Sequence, residues 1–86
     1  MKGGRQQWLQ DLKRFLRTIQ KPGKPLESLG EEDRLVASGL IDSLAIVQIV
    51  VYLEDTYGID FAARGFDPDR LASMASILDL IEEAGS

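Results

Sequence analysis

One short segment of this 86-residue sequence, Asp42-Ser43-Leu44, places a carboxylate and a hydroxyl at the start of a predicted helix. It follows a loop that contains Gly39 and precedes the longest apolar stretch of the chain. A serine at a helix N-terminus keeps its hydroxyl exposed, beside unpaired backbone N–H groups and the positive end of the helix dipole. Asp and Ser are also ordinary capping residues, so the triplet alone fits a simple helix cap.

The amino-acid composition limits the chemistry that Ser43 can perform unaided. The chain has no histidine and no cysteine. Because these are the usual partners in nucleophilic catalysis and in zinc sites, their absence excludes Ser/His/Asp and Cys/His catalysis, zinc sites of either ligand and disulfides. Ser43 therefore has no activating base in this chain. The composition favours a serine that another enzyme modifies and argues against a hydrolase.

Charge is unevenly distributed along the chain. Residues 1–25 carry seven Lys or Arg and one acid, whereas residues 26–86 carry three Arg and thirteen acids, for a net charge of -4. An acidic body attracts basic partner surfaces and repels nucleic acid. The basic first helix could in principle contact nucleic acid, but Trp8 and Phe15 fall on its apolar stripe rather than between the charges. We interpret the basic residues as a solvated face and predict no nucleic-acid partner.

Apolar periodicity predicts the elements that position the triplet. Spacings of three and four from Gln6 to Gln20 predict a first helix, which the prolines of residues 21–25 end. A long first loop, residues 21–38, leads to the triplet. The apolar run after it is rich in β-branched residues, so a strand is a competitor. About fourteen residues without a turn signal favour a helix instead, ending at Tyr57-Gly58.

The C-terminal third of the sequence predicts three further segments. Residues 59–65 are expected to form a loop, and residues 67–71 a short helical segment in which Asp67 caps a turn led by proline. A last helix is expected to start with Ser73 as its cap and to end at Gly85.

Together these elements predict an all-α fold, a small four-helix bundle with three main helices and one short helix. We expect one domain over residues 1–86, with residues 1–5 disordered, and a monomer. No run approaches the length of a membrane span, and the start, Met1-Lys2-Gly3-Gly4, lacks an apolar signal stretch. The sequence therefore predicts a cytoplasmic protein without membrane insertion.

The triplet and its surroundings resemble the acyl and peptidyl carrier protein family. That family has an Asp-Ser-Leu sequence at the start of its second helix, and residues 42–44 match it. The likeness includes Leu35 with Gly39-Leu40-Ile41 before the triplet and Glu54-Asp55-x-Tyr57-Gly58-Ile59 after the apolar helix. It extends over roughly residues 6–84, nearly the whole chain.

The resemblance implies a freestanding, acyl-carrier-like domain with no catalytic activity of its own. A phosphopantetheinyl transferase would move 4′-phosphopantetheine from coenzyme A onto Ser43, and the arm would carry acyl or aminoacyl groups as thioesters. Asp42 would contact the transferase or its metal ion as well as capping the helix. The other partners would be acyl- or amino-acid-activating ligases and synthases of fatty-acid, polyketide or specialised biosynthesis. The alternative is a helical adaptor that is not modified and that tolerates Ser43→Ala.

By the same resemblance, the second helix docks partner enzymes. We expect Leu44 to contact partners and Val47 to lie in the core. No charge lies between Leu44 and Leu53, so only Glu54 and Asp55 remain on this helix for acidic docking. Such docking is expected to be weaker, or to shift toward the acids of the first loop, Glu31, Glu32 and Asp33. The sequence Ile41-Asp42-Ser43-Leu44 and the extended segment from Ala62 to Arg70 resemble freestanding carriers of specialised pathways, such as those that a dedicated ligase loads, as in D-alanyl carriers. Five residues could line a space for cargo or could simply pack: Phe15, Ile46, Val50, Phe66 and Ile77.

Overall fold

A computed structural model describes residues 4–23, 26–65 and 67–85 of the chain. In chain order its elements are helix α1 (Arg5–Ile19), a first 3₁₀ turn (Leu26–Ser28), helix α2 (Ala45–Tyr57), helix α3 (Phe61–Arg64), a second 3₁₀ turn (Pro68–Leu71) and helix α4 (Met74–Gly85). Within these residues there is no β-strand, only an isolated bridge between Arg34 and Ser73. The predicted all-α fold with three main helices is confirmed.

Helix α1 buries the apolar stripe that its sequence predicts. Trp8, Leu12 and Leu16 are buried because steps of four place them on one side of the helix. Each such side chain contributes about 1.5–3 kcal/mol by leaving water. The stripe faces the core, which α4 shares.

The N-terminal end of α1 is anchored to α4. Arg5, the first residue of α1, donates through Nη1 to Oδ1 of Asp79 at 2.8 Å. The prediction that residues 1–5 are disordered is therefore wrong for Arg5. Residues 1–3 lie outside the described part of the chain.

Helix α4 contributes the largest share of the core, and it begins with the predicted cap. The N–H of Ser76 donates to Oγ of Ser73 at 3.2 Å, and the N–H of Ser73 donates to Oγ of Ser76 at 3.1 Å. This reciprocal pair is a capping box built from two serines. Five apolar residues of the helix are 4% exposed or less: Met74, Ile77, Leu78, Leu80 and Ile81.

The prediction of a loop at residues 59–65 is wrong, because the segment contains α3. Asp60 caps that helix, with Oδ1 accepting from two backbone N–H groups of the first turn at 3.0 and 3.2 Å. Asp before a short non-glycine run is a helix-start signal, but four residues are too few to show periodicity. The short segment predicted at residues 67–71 is confirmed as the second 3₁₀ turn, capped by Asp67.

The loop between α1 and α2 is bound to the start of α4. The N–H of Leu35 donates to the carbonyl of Ala72, and the N–H of Ala75 donates to the carbonyl of Glu31, both at 2.8 Å. Leu26 and Leu35 are 1% exposed or less and fill the space beneath the loop. The segment that leads to Ser43 is thus part of the packed structure. None of the described helices is long and apolar enough to cross a membrane.

Candidate functional site

A buried turn fixes the position at which Ser43 reaches the surface. Gly39 has a φ of 88°, a left-handed conformation that glycine adopts without strain. The chain then enters the core, where Leu40 and Ile41 are 2% and 1% exposed. A backbone N–H just beyond α1, that of Lys21, donates to the carbonyl of Leu40 at 2.7 Å. Two buried residues therefore hold the chain immediately before the exposed triplet.

Asp42 closes the turn that starts α2. Its Oδ1 accepts from the N–H of Ala45, the first residue of the helix, at 3.1 Å. The N–H of Ile46 donates to the carbonyl of Ser43 at 3.3 Å, a bond over three residues that is typical of a 3₁₀ turn. The predicted position of the triplet is confirmed, and the α-helix proper begins two residues after Ser43.

Ser43 differs from Ser38, Ser73 and Ser76 in the hydrogen bonding of its hydroxyl. Ser43 is exposed, and its Oγ makes no hydrogen bond to any residue that the structure describes. By contrast, Oγ of Ser38 donates to the carbonyl of Leu35 at 3.1 Å, and Ser73 and Ser76 bond to each other. The Ser43 hydroxyl is therefore accessible and uncommitted, at a helix start that favours an attached phosphate.

Helix α2 exposes an apolar stripe beside Ser43. Leu44, Val47 and Val51 are 78%, 63% and 47% exposed, and spacings of three and four place them on one face. Leu44 is exposed, as a docking residue must be, whereas the prediction that Val47 lies in the core is wrong. Since every position of α2 from Ala45 to Leu53 except Gln48 is apolar, periodicity could not show which face is buried. The buried face lies on the opposite side of the helix: Ala45, Ile49 and Leu53.

The two acidic residues singled out in the sequence lie at the far end of α2. Glu54 and Asp55 are both exposed. At 1.5 Å per residue they are roughly 17 Å along the helix from Ser43, so the structure does not bring them into the attachment site. Gly58 ends the helix as predicted, with a φ of 68° and its N–H donating to the carbonyl of Glu54 at 3.1 Å.

A groove between α1 and α2 was not predicted from the sequence. Its floor includes the rings of Phe15 and Tyr52, which stack with centroids 4.3 Å apart and planes 7° apart. Burial raises the pKa of the Tyr52 phenol above its ordinary range, and it raises the pKa of Tyr57 as well. The groove has a volume of about 470 Å³ and seven lining residues: Phe15, Val47, Gln48, Val51, Tyr52, Asp55 and Thr56.

The residues predicted to line a cargo space have different surroundings. Ile77 is fully buried, whereas Phe15, Ile46 and Val50 are partly buried against the core. Phe66 lies outside the described residues. Whether cargo enters between these side chains stays a prediction.

Comparison with known families identifies the class of this protein. The family model for the phosphopantetheine attachment site matches residues 17–83, well over half of the chain. The chain belongs to this family and is a carrier protein, which is not catalytic and which holds a covalent 4′-phosphopantetheine. Attachment of that group implies a phosphopantetheinyl transferase as a partner. Searches of curated proteins and of solved structures found no match.

Proposed function

We propose that the phosphopantetheine arm is attached to Oγ of Ser43. The observation that carries this proposal is the free, exposed hydroxyl of Ser43 at the start of α2. The surroundings fit a phosphate, because the N-terminal end of a helix dipole provides positive potential. When bound, the arm supplies a terminal thiol on which an acyl group is carried as a thioester.

The chemistry of attachment must come largely from the transferase. One phosphoester bond forms to Oγ of Ser43, the pyrophosphate bond of coenzyme A breaks with adenosine 3′,5′-bisphosphate as the leaving group, and the hydroxyl proton passes to a base. The chain has no histidine to act as that base. Asp42 is the nearest carboxylate in sequence, and it is exposed although Oδ1 accepts from Ala45. We assign Asp42 two roles: to hold the turn and to contact the transferase or its metal ion.

The docking surface for partner enzymes is proposed to centre on Leu44. A leucine that is 78% exposed contributes little to folding and much to a partner that covers it. Glu54 and Asp55 would contact the edge of the partner. Carboxylates near a helix C-terminus oppose the helix dipole, so local helix stability does not account for them. Since no charge lies between these acids and Leu44, the contact would be mainly apolar.

The partner enzymes and the pathway of the carrier are inferred from the exposed face of α2 and from membership of the carrier family. We infer that acyl- or amino-acid-activating ligases and synthases use this cytoplasmic, monomeric carrier in fatty-acid, polyketide or specialised biosynthesis. The uncharged face of α2 favours a specialised pathway, because it lacks the acidic residues on which many fatty-acid carriers rely. The alternative of an unmodified adaptor has lost its support, since the chain belongs to the carrier family.

Intact mass spectrometry tests the attachment site. The full chain is incubated with coenzyme A, magnesium and a promiscuous phosphopantetheinyl transferase, in parallel with Ser43→Ala and Ser38→Ala. Ser38 is the matched control because it is also exposed and lies five residues away. We expect one phosphopantetheinyl group on the wild type and on Ser38→Ala, and none on Ser43→Ala. A modified Ser43→Ala variant would overturn the assignment.

A further inference from the structure

A closed turn, residues 35–41, leads directly to the triplet. The N–H of Ile41 donates to the carbonyl of Leu35 at 3.3 Å and closes the turn. Inside it, Oγ of Ser38 donates to the same carbonyl at 3.1 Å and accepts from the N–H of Leu40 at 3.4 Å. The Ser38 hydroxyl therefore links the two sides of the turn.

Both ends of this turn are fixed to other parts of the fold. The N–H of Leu35 donates to the carbonyl of Ala72, just before α4, at 2.8 Å. The carbonyl of Leu40 accepts from the N–H of Lys21, just beyond α1, at 2.7 Å. The side chains of Leu35 and Leu40 are 2% exposed or less. What these anchors leave open is the path between them, which sets the direction in which the chain leaves the turn.

Hydrophobic burial does not fix the tip of the turn, because Val36 and Ser38 are exposed. Two backbone hydrogen bonds act there: the N–H of Ser38 donates to the carbonyl of Arg34 at 2.9 Å, and the N–H of Gly39 donates to the carbonyl of Val36 at 3.0 Å. Both point back along the chain. The hydroxyl of Ser38 is the group of the tip that also accepts from Leu40, on the side of the triplet.

Removal of the Ser38 hydroxyl would take this acceptor from the N–H of Leu40. Because Leu40 is 2% exposed, water does not readily replace the acceptor, and an unpaired buried N–H costs about 1–3 kcal/mol. The chain can lower this cost by moving the Leu40 amide toward water. Since Leu40 is three residues before Ser43, such a movement would displace the attachment residue.

We propose that Ser38 is a positioning residue for the loading of Ser43. Its hydroxyl closes the turn and thereby sets where the Ser43 hydroxyl is presented to the transferase. This inference rests on the proposed attachment at Ser43. Position matters most in the bond-forming step, because a misplacement of about 1 Å can slow a reaction about a hundredfold. Docking should depend less on the turn, since the exposed stripe of α2 begins at Leu44, after the attachment residue.

Single-turnover loading separates positioning from docking. The transferase is in excess and coenzyme A is saturating, so that product release does not limit the rate. We expect Ser38→Ala to lower the maximal rate constant about tenfold and to change the half-saturating transferase concentration less than about twofold. Ser38→Thr keeps the hydroxyl and should restore the rate to within about twofold of the wild type. Ser38→Ala should still become fully loaded on long incubation, so it differs in rate and not in final mass.

A core variant controls for loss of stability. Ser38→Ala should lower the free energy of unfolding by about 1 kcal/mol. Ile81→Val removes one methylene from a fully buried side chain of α4 and should cost about 0.5–1.5 kcal/mol without a change of charge. Urea denaturation measures both losses. We expect Ile81→Val to load at the wild-type rate. Equal slowing of Ile81→Val and Ser38→Ala, or a wild-type rate for Ser38→Ala, would overturn the proposal.

Amide hydrogen exchange gives a readout that does not depend on loading. In the unmodified chain, we expect Ser38→Ala to accelerate exchange of the Leu40 N–H by a larger factor than that of Ile77 in the α4 core, because the opening is local. Equal factors would refute the role of the Ser38 hydroxyl in the turn.

Failure of the attachment proposal is distinguishable from failure of the positioning proposal. If the wild type accepts no arm at Ser43, both proposals fail, and the intact mass shows it. If the wild type loads at Ser43 but Ser38→Ala loads equally fast, with the Leu40 amide released, the attachment stands and the positioning role alone is refuted.

Discussion

Helices α2 and α4 are similarly apolar in sequence but use their apolar residues differently. Helix α4 packs against α1, α2 and the second 3₁₀ turn, and it buries Met74, Ile77, Leu78, Leu80 and Ile81. Helix α2 has three buried residues on one narrow face and leaves exposed valines on the opposite face. The apolar residues of α4 are thus accounted for by folding, whereas Val47 and Val51 of α2 are not.

This difference locates function on the exposed side of α2. An apolar stripe that folding does not bury is disfavoured in water unless a ligand or a partner covers it. The stripe starts at Leu44, directly after Ser43, and continues to the groove at Val51 and Tyr52. The proposed docking stripe therefore lies on one face of α2, directly after the proposed attachment residue, and the buried residues lie on the other face.

Two leucines provide the largest expected contrast. Leu78 of α4 is fully buried, whereas Leu44 is 78% exposed. Leu78→Ala should lower the free energy of unfolding by about 2–5 kcal/mol, because it leaves a cavity in the core. Leu44→Ala should change it by less than about 0.5 kcal/mol. Urea denaturation of both variants measures the contrast. Equal losses of stability would show that Leu44 contributes to folding as a buried leucine does.

The same Leu44→Ala variant sharpens the functional half of the comparison. If a partner covers Leu44, truncation should lower kcat/KM of the transferase toward this carrier about tenfold, equivalent to about 1.4 kcal/mol. Val36→Ala, at another exposed apolar position, should stay within about twofold, since a surface residue outside the interface contributes little. Steady-state loading assays measure kcat/KM for both variants, and equal values would show that Leu44 lies outside the interface.

Asp42 allows its two assigned roles to be separated. Asp42→Ala removes the acceptor of the Ala45 N–H and should lower the free energy of unfolding by about 1 kcal/mol. Asp42→Asn keeps an acceptor oxygen and should lower the free energy of unfolding by only about 0.3 kcal/mol. If the carboxylate also contacts the transferase or its metal ion, the Asp42→Asn variant should nevertheless accept the phosphopantetheine arm slowly. Denaturation and loading rates are measured on both variants; normal loading of Asp42→Asn would leave Asp42 as a cap only.

Tyr52 is expected to have the smallest effect at neutral pH. Burial raises the pKa of its phenol, so the folded chain retains the proton at a higher pH than the unfolded chain does. The resulting stability is complete below the unfolded tyrosine pKa of about 10 and is lost as pH rises above it. Tyr52→Phe keeps the ring that stacks on Phe15 and should match the wild type at pH 7. The denaturation midpoint should fall less between pH 8 and pH 11 in the variant than in the wild type. An equal fall would exclude Tyr52 as a cause of the loss of stability.

Parts of this fold and site could be predicted from the sequence because strong local signals act there. Helix α1 has a clear stripe and a proline stop, Ser73 caps α4 as expected, and the Asp42-Ser43-Leu44 triplet lies at a helix start. The position of Val47 could not be predicted, because all residues from Ala45 to Leu53 except Gln48 are apolar and periodicity does not single out a face. The groove was missed since Phe15 and Tyr52 are 37 positions apart, and only packing of α1 beside α2 brings them together.

The central claim is that Ser43, and no other residue, carries the arm, and peptide mapping tests it most directly. Trypsin should release residues 35–64 as one peptide, because no Lys or Arg lies between Arg34 and Arg64. This peptide contains both Ser38 and Ser43, so electron-transfer fragmentation of the loaded chain can distinguish them. We expect the whole phosphopantetheinyl mass on the fragments that contain Ser43 and none on those that end before it. Localisation to Ser38, or loading on a peptide outside residues 35–64, would contradict the assignment.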